Sequence, residues 1–227
     1  MLSKRLSAVA RLVKNCDLVA DIGTDHGYIP IYLATNSIIH RAIAADISKG
    51  SCDKARYNIT SNRLDNIISV RCGNGIEVIN KDEKVDCIII AGMGGLLLIE
   101  VLKSNTRAVN QATQIVLQPQ RDIEKVRRYI HSIGFKIENE KMLIDNNKYY
   151  NIISAVKGEE VYTDLEYRFG KILITEKSNI LKEYAHFELN KILNVISYML
   201  NNGQEDSMRY YEILKDKKLY EEVILCL

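Results

Sequence analysis

Residues 18–30, LVADIGTDHGYIP, restrict the fold more than any other stretch of this chain. A short apolar run, Leu18-Val19-Ala20, leads into Asp21, then a bend with glycines at 23 and 27. Pro30 follows, a residue suited to the first turn of a helix. The order reads as strand, loop and helix, with the loop offering bare backbone at the edge of a sheet. It is not the dinucleotide spacing G-x-G-x-x-G, because Asp25 stands where a second glycine is expected. A diphosphate held there would meet a carboxylate and be repelled. A ligand carrying a cationic amino group and a sulfonium would be attracted, so the loop points to S-adenosylmethionine in place of NAD or ATP.

Strand and helix signals alternate around this loop. A helix is predicted over 3–14, capped by Ser3, with Leu6, Val9, Leu12 and Val13 at three- and four-residue spacing. Strands are predicted at 18–22, 41–45, 67–72, 85–91 and 114–118, with helices between them. The expected class is α/β: a Rossmann-like parallel sheet with helices on both faces and its ligand-binding loops along one edge. Two β-rich runs at 135–144 and 149–156 flank the polar turn Asp145-Asn146-Asn147-Lys148, which predicts a terminal antiparallel hairpin. From about Thr163 the pattern turns helical. One stripe runs from Leu181 to Met199, Asn201-Asn202-Gly203 stops it, and Tyr210, Leu214, Tyr220 and Ile224 mark a second helix. An antiparallel, coiled-coil-like helical hairpin is expected there. The predicted division is a cofactor-binding catalytic domain over 1–160 and a helical domain over 161–227.

Composition narrows the class. A chain of 227 residues with 47% hydrophobic and 26% charged residues is ordinary for a globular protein. Its five cysteines are scattered without metal-ligand spacing, which predicts reduced thiols, a cytoplasmic location and no metal. The most apolar stretch, 87–99, is interrupted by Gly92, Gly94 and Gly95 and is too short to span a bilayer, so no membrane segment is expected. Basic residues outnumber acidic ones as far as Lys157, and the balance reverses beyond it. A polyanionic partner for the body of the chain is compatible with that asymmetry.

Candidate site residues fall at the strand ends. Asp21, Gly23, Asp25 and Gly27 form the first loop and are expected to hold the methionine part of the cofactor. Asp46, followed by Ile47, sits after the second strand, where an acid accepts ribose hydroxyls. Gly73 and Asn74 follow the third strand at the expected adenine edge, and Ala91 and Gly92 end the fourth. Met93, Gly94 and Gly95 leave a mouth free of bulky polar groups for the methyl acceptor, with Gln118 lining it from the fifth strand. Tyr28 offers a stacking ring, and Asp25 and His26 are the candidate catalytic side chains. Arg5, Arg11, Arg121, Arg127 and Arg128 are candidates for phosphate contacts, a solvated helix face being the alternative.

Together, DIGTDHGYIP, the acid after the second strand, GNG, AGMGG and LQP resemble the bacterial tRNA adenine-22 N1-methyltransferases, over nearly the whole chain. The resemblance implies a class I methyltransferase fold and S-adenosylmethionine as donor, leaving S-adenosylhomocysteine. It further implies tRNA as partner, methylated on N1 of a D-stem adenosine. Asp21, Gly23, Asp25, Gly27, Asp46, Asn74 and Gly92 match cofactor-side positions; Gly27 stands for an alanine of that pattern and Gln120 for an asparagine. Because N1 carries an in-plane lone pair, no general base is required. A monomer is expected, with dimerisation through the C-terminal helices left open. Also open are a methyltransferase of this fold acting elsewhere, and a non-catalytic cofactor-binding module that recognises RNA. An NAD oxidoreductase is opposed by Asp25 and by the hairpin.

Overall fold

Runs of Ile, Val and Ala build the sheet. The computed structural model describes residues 2–227, which divide into two units that meet in the chain between Val161 and Tyr162. In chain order the first unit contains α1 (Lys4–Ala10), β1 (Cys16–Ile22), α2 (Tyr28–Thr35), β2 (Ile39–Asp46), α3 (Lys49–Ser61) and β3 (Ile68–Cys72). After a 3-10 turn at Gly75–Val78 come β4 (Cys87–Met93), α4 (Gly95–Ser104), α5 (Thr106–Gln111), β5 (Gln114–Pro119) and α6 (Ile123–Ser132). The hairpin β6 (Phe135–Asp145) and β7 (Lys148–Lys157) completes it.

The seven strands lie in the order β3-β2-β1-β4-β5-β7-β6. β1 to β5 pair in parallel, and β7 inserts antiparallel between β5 and β6. Ile88, Ile89 and Ile90 of β4 have no exposed surface, which is what a strand covered on both faces requires. The chain order reverses between the neighbours β1 and β4, so the loops leaving their carboxyl ends diverge and open a crevice there.

Of the boundaries that differ from those expected, two concern α1 and the end of β4. α1 stops at Ala10 although Leu12 and Val13 are buried as its periodicity predicts. The cause is Gln114 on β5. Its buried side chain donates to the Leu12 carbonyl (2.7 Å) and accepts from the Lys14 N–H (3.0 Å), which draws the chain out of the helix. The fourth strand runs on to Met93, with an irregularity against β5 between Ala91 and Met93.

The second unit has four helices where two were expected: α7 (Asp164–Phe169), α8 (Lys171–Thr175), α9 (Asn179–Asn201) and α10 (Met208–Cys226). A capping box between Thr163 and Glu166 starts α7. Ile196 and Met199 of α9 pack on Ile213 of α10, joining the end of one helix to the start of the next as the predicted hairpin.

Candidate active site

The first loop is folded back by its own backbone. The N–H groups of Gly23 and Thr24 both donate to the Ala45 carbonyl of β2 (2.8 and 2.9 Å). Gly23 has φ +82°, and a Cβ there would overlap the terminal methyl of Met93. The left-handed backbone is what requires glycine here, since the Met93 methyl is the far end of a flexible side chain. Thr24 Oγ1 accepts from the Gly27 N–H (3.1 Å), closing the loop before α2 begins. The result is a cleft of about 210 Å³ at the β1–β4 crevice, lined by Arg5, Asp21, Gly23, Asp25, His26, Tyr28 and Ala91 among others.

Its two carboxylates differ in environment. Asp21 is buried, and burial pushes its carboxyl up to about 6; a hydrogen bond from Thr24 opposes that rise and the charge of Asp46 adds to it. Asp25 is exposed. Partial desolvation raises it, but hydrogen bonds from Ser51 (3.0 Å) and Lys54 (3.3 Å) prevail and hold it below the usual carboxylate range. Its other oxygen lies 3.1 Å from His26 Nε2, and the His26 ring stacks on Tyr28 at 4.9 Å between centroids. A carboxylate so engaged is a weak base.

Asp46, Ile47, Gly73 and Asn74 do not line this cleft; they stand at the adjoining strand ends. Asp46 Oδ1 accepts from the Ser48 N–H (2.7 Å), its carbonyl accepts from the Gly73 N–H (3.0 Å), and Ile47 is exposed. The Asn74 amide donates to Glu77 at the surface (3.1 Å). The expected cofactor residues thus occur in sheet order, β3 to β2 to β1, along one edge.

On the other side of β1, α1 delivers Arg5 to the end of β4. Its guanidinium donates to Gln118 Oε1 (2.6 Å) and lies 3.5 Å from where a Gly92 Cβ would stand. Gln118 is wholly buried and donates to the Pro119 carbonyl (3.1 Å), so it holds Arg5 from below. The Arg121 guanidinium lies over Gly94, with Nε 3.0 Å from a Cβ built there.

Two sequence-based assignments are corrected. Arg127 is not available to a phosphate: it is 1% exposed and paired with Glu140 of β6 at 2.6–2.7 Å. Burial raises the Glu140 carboxyl and Arg127 opposes that rise. Gly95 does not face an acceptor: it is buried, its N–H donates to the Arg121 carbonyl (3.0 Å), and a Cβ would strike that same carbonyl. Arg128 is exposed and paired with Glu124 (3.0 Å), and Arg11 is exposed at the end of α1, outside the cleft. Sequence reasoning passed over Thr24, Leu6 and Ile29, which line the cleft, and Ser51 and Lys54, which hold Asp25. Thr24 lay inside the singled-out motif; Ser51 and Lys54 belong to α3 and carried no local signal.

Among the described residues no cluster of three or more His, Cys, Asp or Glu could hold a metal ion, and no helix is long and apolar enough to cross a membrane. A methyltransferase domain family matches residues 2–153. The tRNA (adenine(22)-N(1))-methyltransferase of Bacillus subtilis is 29% identical over 231 residues, covering 98% of this chain and 97% of the relative. The structure of Mycoplasma capricolum TrmK in complex with S-adenosyl-homocysteine superposes with a TM-score of 0.91 at 27% identity, covering 100% of this chain and 99% of that one. An uncharacterised Listeria monocytogenes protein gives 0.95 at 32% identity, with coverage of 99% and 100%. The cleft suits the cofactor of such enzymes, for a buried carboxylate and a Cβ-free backbone are what a cationic amino acid moiety needs. The fold, the crevice between β1 and β4 and the match across 2–153 agree, and the chain belongs to the methyltransferase domain family.

Proposed function

We propose that this protein transfers a methyl group from S-adenosylmethionine to N1 of adenosine 22 in tRNA. The observation that carries the reading is the buried Asp21 carboxylate beside Gly23, in a cleft that reaches Ala91 at the end of β4 and is edged by Arg5. S-adenosylmethionine, when bound, supplies an electrophilic methyl on a sulfonium. Residues 1–160 would form the domain that holds it and residues 161–227 a separate helical domain. In the first, Asp21 pairs with the amino group and the backbone of 23–27 packs against the methionine chain. Asp46 accepts from the ribose hydroxyls, and Asn74 meets the adenine edge. Gly27, Ile47, Gly73 and Ala91 complete that surface.

On the acceptor side, Arg5 and Gln118 set the position of the incoming base, and Met93 and Gly94 border it. Adenine N1 needs no proton removed before attack. Asp25, tied to Ser51 and Lys54, is accordingly not a base here but a fixed negative charge near the reacting centre, with His26 orienting it. The enzyme's contribution is alignment and exclusion of water, worth about 7–11 kcal/mol at best. N1 lies on the pairing edge, so the adenosine must leave its stack at a cost of about a few kcal/mol. Tyr28 receives the displaced base, and Arg11, Arg121 and Arg128 engage phosphates. The protein acts as a monomer in the cytoplasm.

The test is transfer of labelled methyl from S-adenosylmethionine to an unmodified tRNA transcript and to the same transcript with guanosine at position 22. Label in the first and none in the second is expected. Equal labelling of both would refute the assignment.

A further inference from the structure

A second cavity, about 310 Å³, opens beside the first and shares Tyr28 with it. Its walls include Tyr32, Asn36, Asn58 and Asn62. Asn36 and Asn62 are the C-caps of α2 and α3, so two helices direct their carbonyl ends, the negative ends of their dipoles, toward this region. Each of the three amides spends one of its two N–H groups on the protein. Asn36 donates to the Tyr32 carbonyl (2.8 Å), Asn62 to the Asn58 carbonyl (2.8 Å) and Asn58 to the His26 carbonyl (2.9 Å). Each keeps its oxygen and a second N–H to offer a ligand. No lysine or arginine lines the cavity.

A lining of amides and tyrosines without a cation disfavours a phosphate and suits a neutral, flat group with donors and acceptors on its edge, one face of which meets a tyrosine ring. We propose that the cavity is a subsite for a nucleobase adjacent to the target adenosine, held by the side-chain amides of Asn36, Asn58 and Asn62 and stacked on tyrosine. The inference rests on the proposed action on tRNA. It adds that RNA is gripped by a base outside the reacting position, next to the cofactor loop, through the Asn58–His26 link.

The test combines a protein change with an RNA change. Wild type, Asn62→Leu and Tyr32→Ala are each titrated with an unmodified tRNA transcript and with transcripts carrying an abasic residue immediately 5′ or 3′ of adenosine 22. S-adenosylhomocysteine affinity and thermal melting of each variant report that the fold and the first cleft are intact. For wild type, one abasic substitution should weaken binding about tenfold, the scale of one lost base stack. Each variant should lose about as much on the intact transcript and little more on the abasic one, the non-additive result of a shared contact. Purely additive losses, or variants that bind the intact transcript within twofold of wild type, would overturn the subsite. If wild type methylates tRNA while this occurs, the subsite falls alone. If wild type neither binds nor methylates tRNA, the functional reading falls and takes the subsite with it.

Discussion

Asp21→Asn is expected to make the unliganded protein more stable and a poorer binder of S-adenosylmethionine. Burial lifts the Asp21 carboxyl from 3.8 to about 6, so keeping it ionised in the fold costs on the order of 3 kcal/mol at pH 8. Asparagine removes that cost but weakens the hydrogen bond from Thr24, which returns about 1 kcal/mol. The net gain of about 2 kcal/mol should raise the melting temperature of a chain this size by roughly 4–8 °C. The sign with pH follows from the raised folded value. The stability that the protonated carboxyl confers is fully present below 3.8 and is lost as pH rises through about 6. The advantage of the variant should therefore be largest above pH 7 and vanish near pH 4. Calorimetric titration should show S-adenosylmethionine affinity down by about 10–100-fold, the scale of one charge-assisted hydrogen bond. Wild-type affinity should also fall as pH drops below about 6. A variant that is less stable at pH 8, with undiminished affinity, would refute the role given to this carboxylate.

Gly23→Ala places a Cβ against Met93 at φ +82°, and should cost about 1–3 kcal/mol of stability and abolish detectable S-adenosylmethionine binding by calorimetry. Arg127→Ala leaves Glu140 buried without its partner and should destabilise by about 3–5 kcal/mol in urea unfolding. Arg127→Met with Glu140→Leu should recover most of that loss, and neither change should alter the affinity of the folded protein for S-adenosylhomocysteine. Arg121→Ala should weaken tRNA binding and lower the slope of log affinity against log salt by about 1, whereas Arg127→Met should leave that slope unchanged.

The sheet was legible because its strands are covered on both faces. Runs such as Ile88-Ile89-Ile90 have no other plausible destination, and the polar turn at 145–148 announced the hairpin. The early end of α1 was not legible, since it depends on Gln114, which meets Leu12 and Lys14 across about a hundred residues of chain. In the candidate site, Asp21, Gly23 and Asp25 of the first loop line one cleft and Gly27 does not; a strand-to-helix bend is a local structure written in adjacent residues. Arg127 was misjudged because four basic residues within 121–128 look alike in sequence. Only the position of Glu140 on β6 decides which one turns inward. Gly95 misled for a related reason: a glycine that clears space for a ligand and one that admits a neighbouring carbonyl are the same letter. The second cavity was invisible, because it joins the ends of two helices and no single segment carries it.

The account is tested most directly by nuclease mapping and mass spectrometry of tRNA treated with the purified protein and S-adenosylmethionine. One added methyl is predicted, recovered as 1-methyladenosine in the fragment that contains position 22. A methyl on another nucleotide, or at another atom of that adenine, would contradict it.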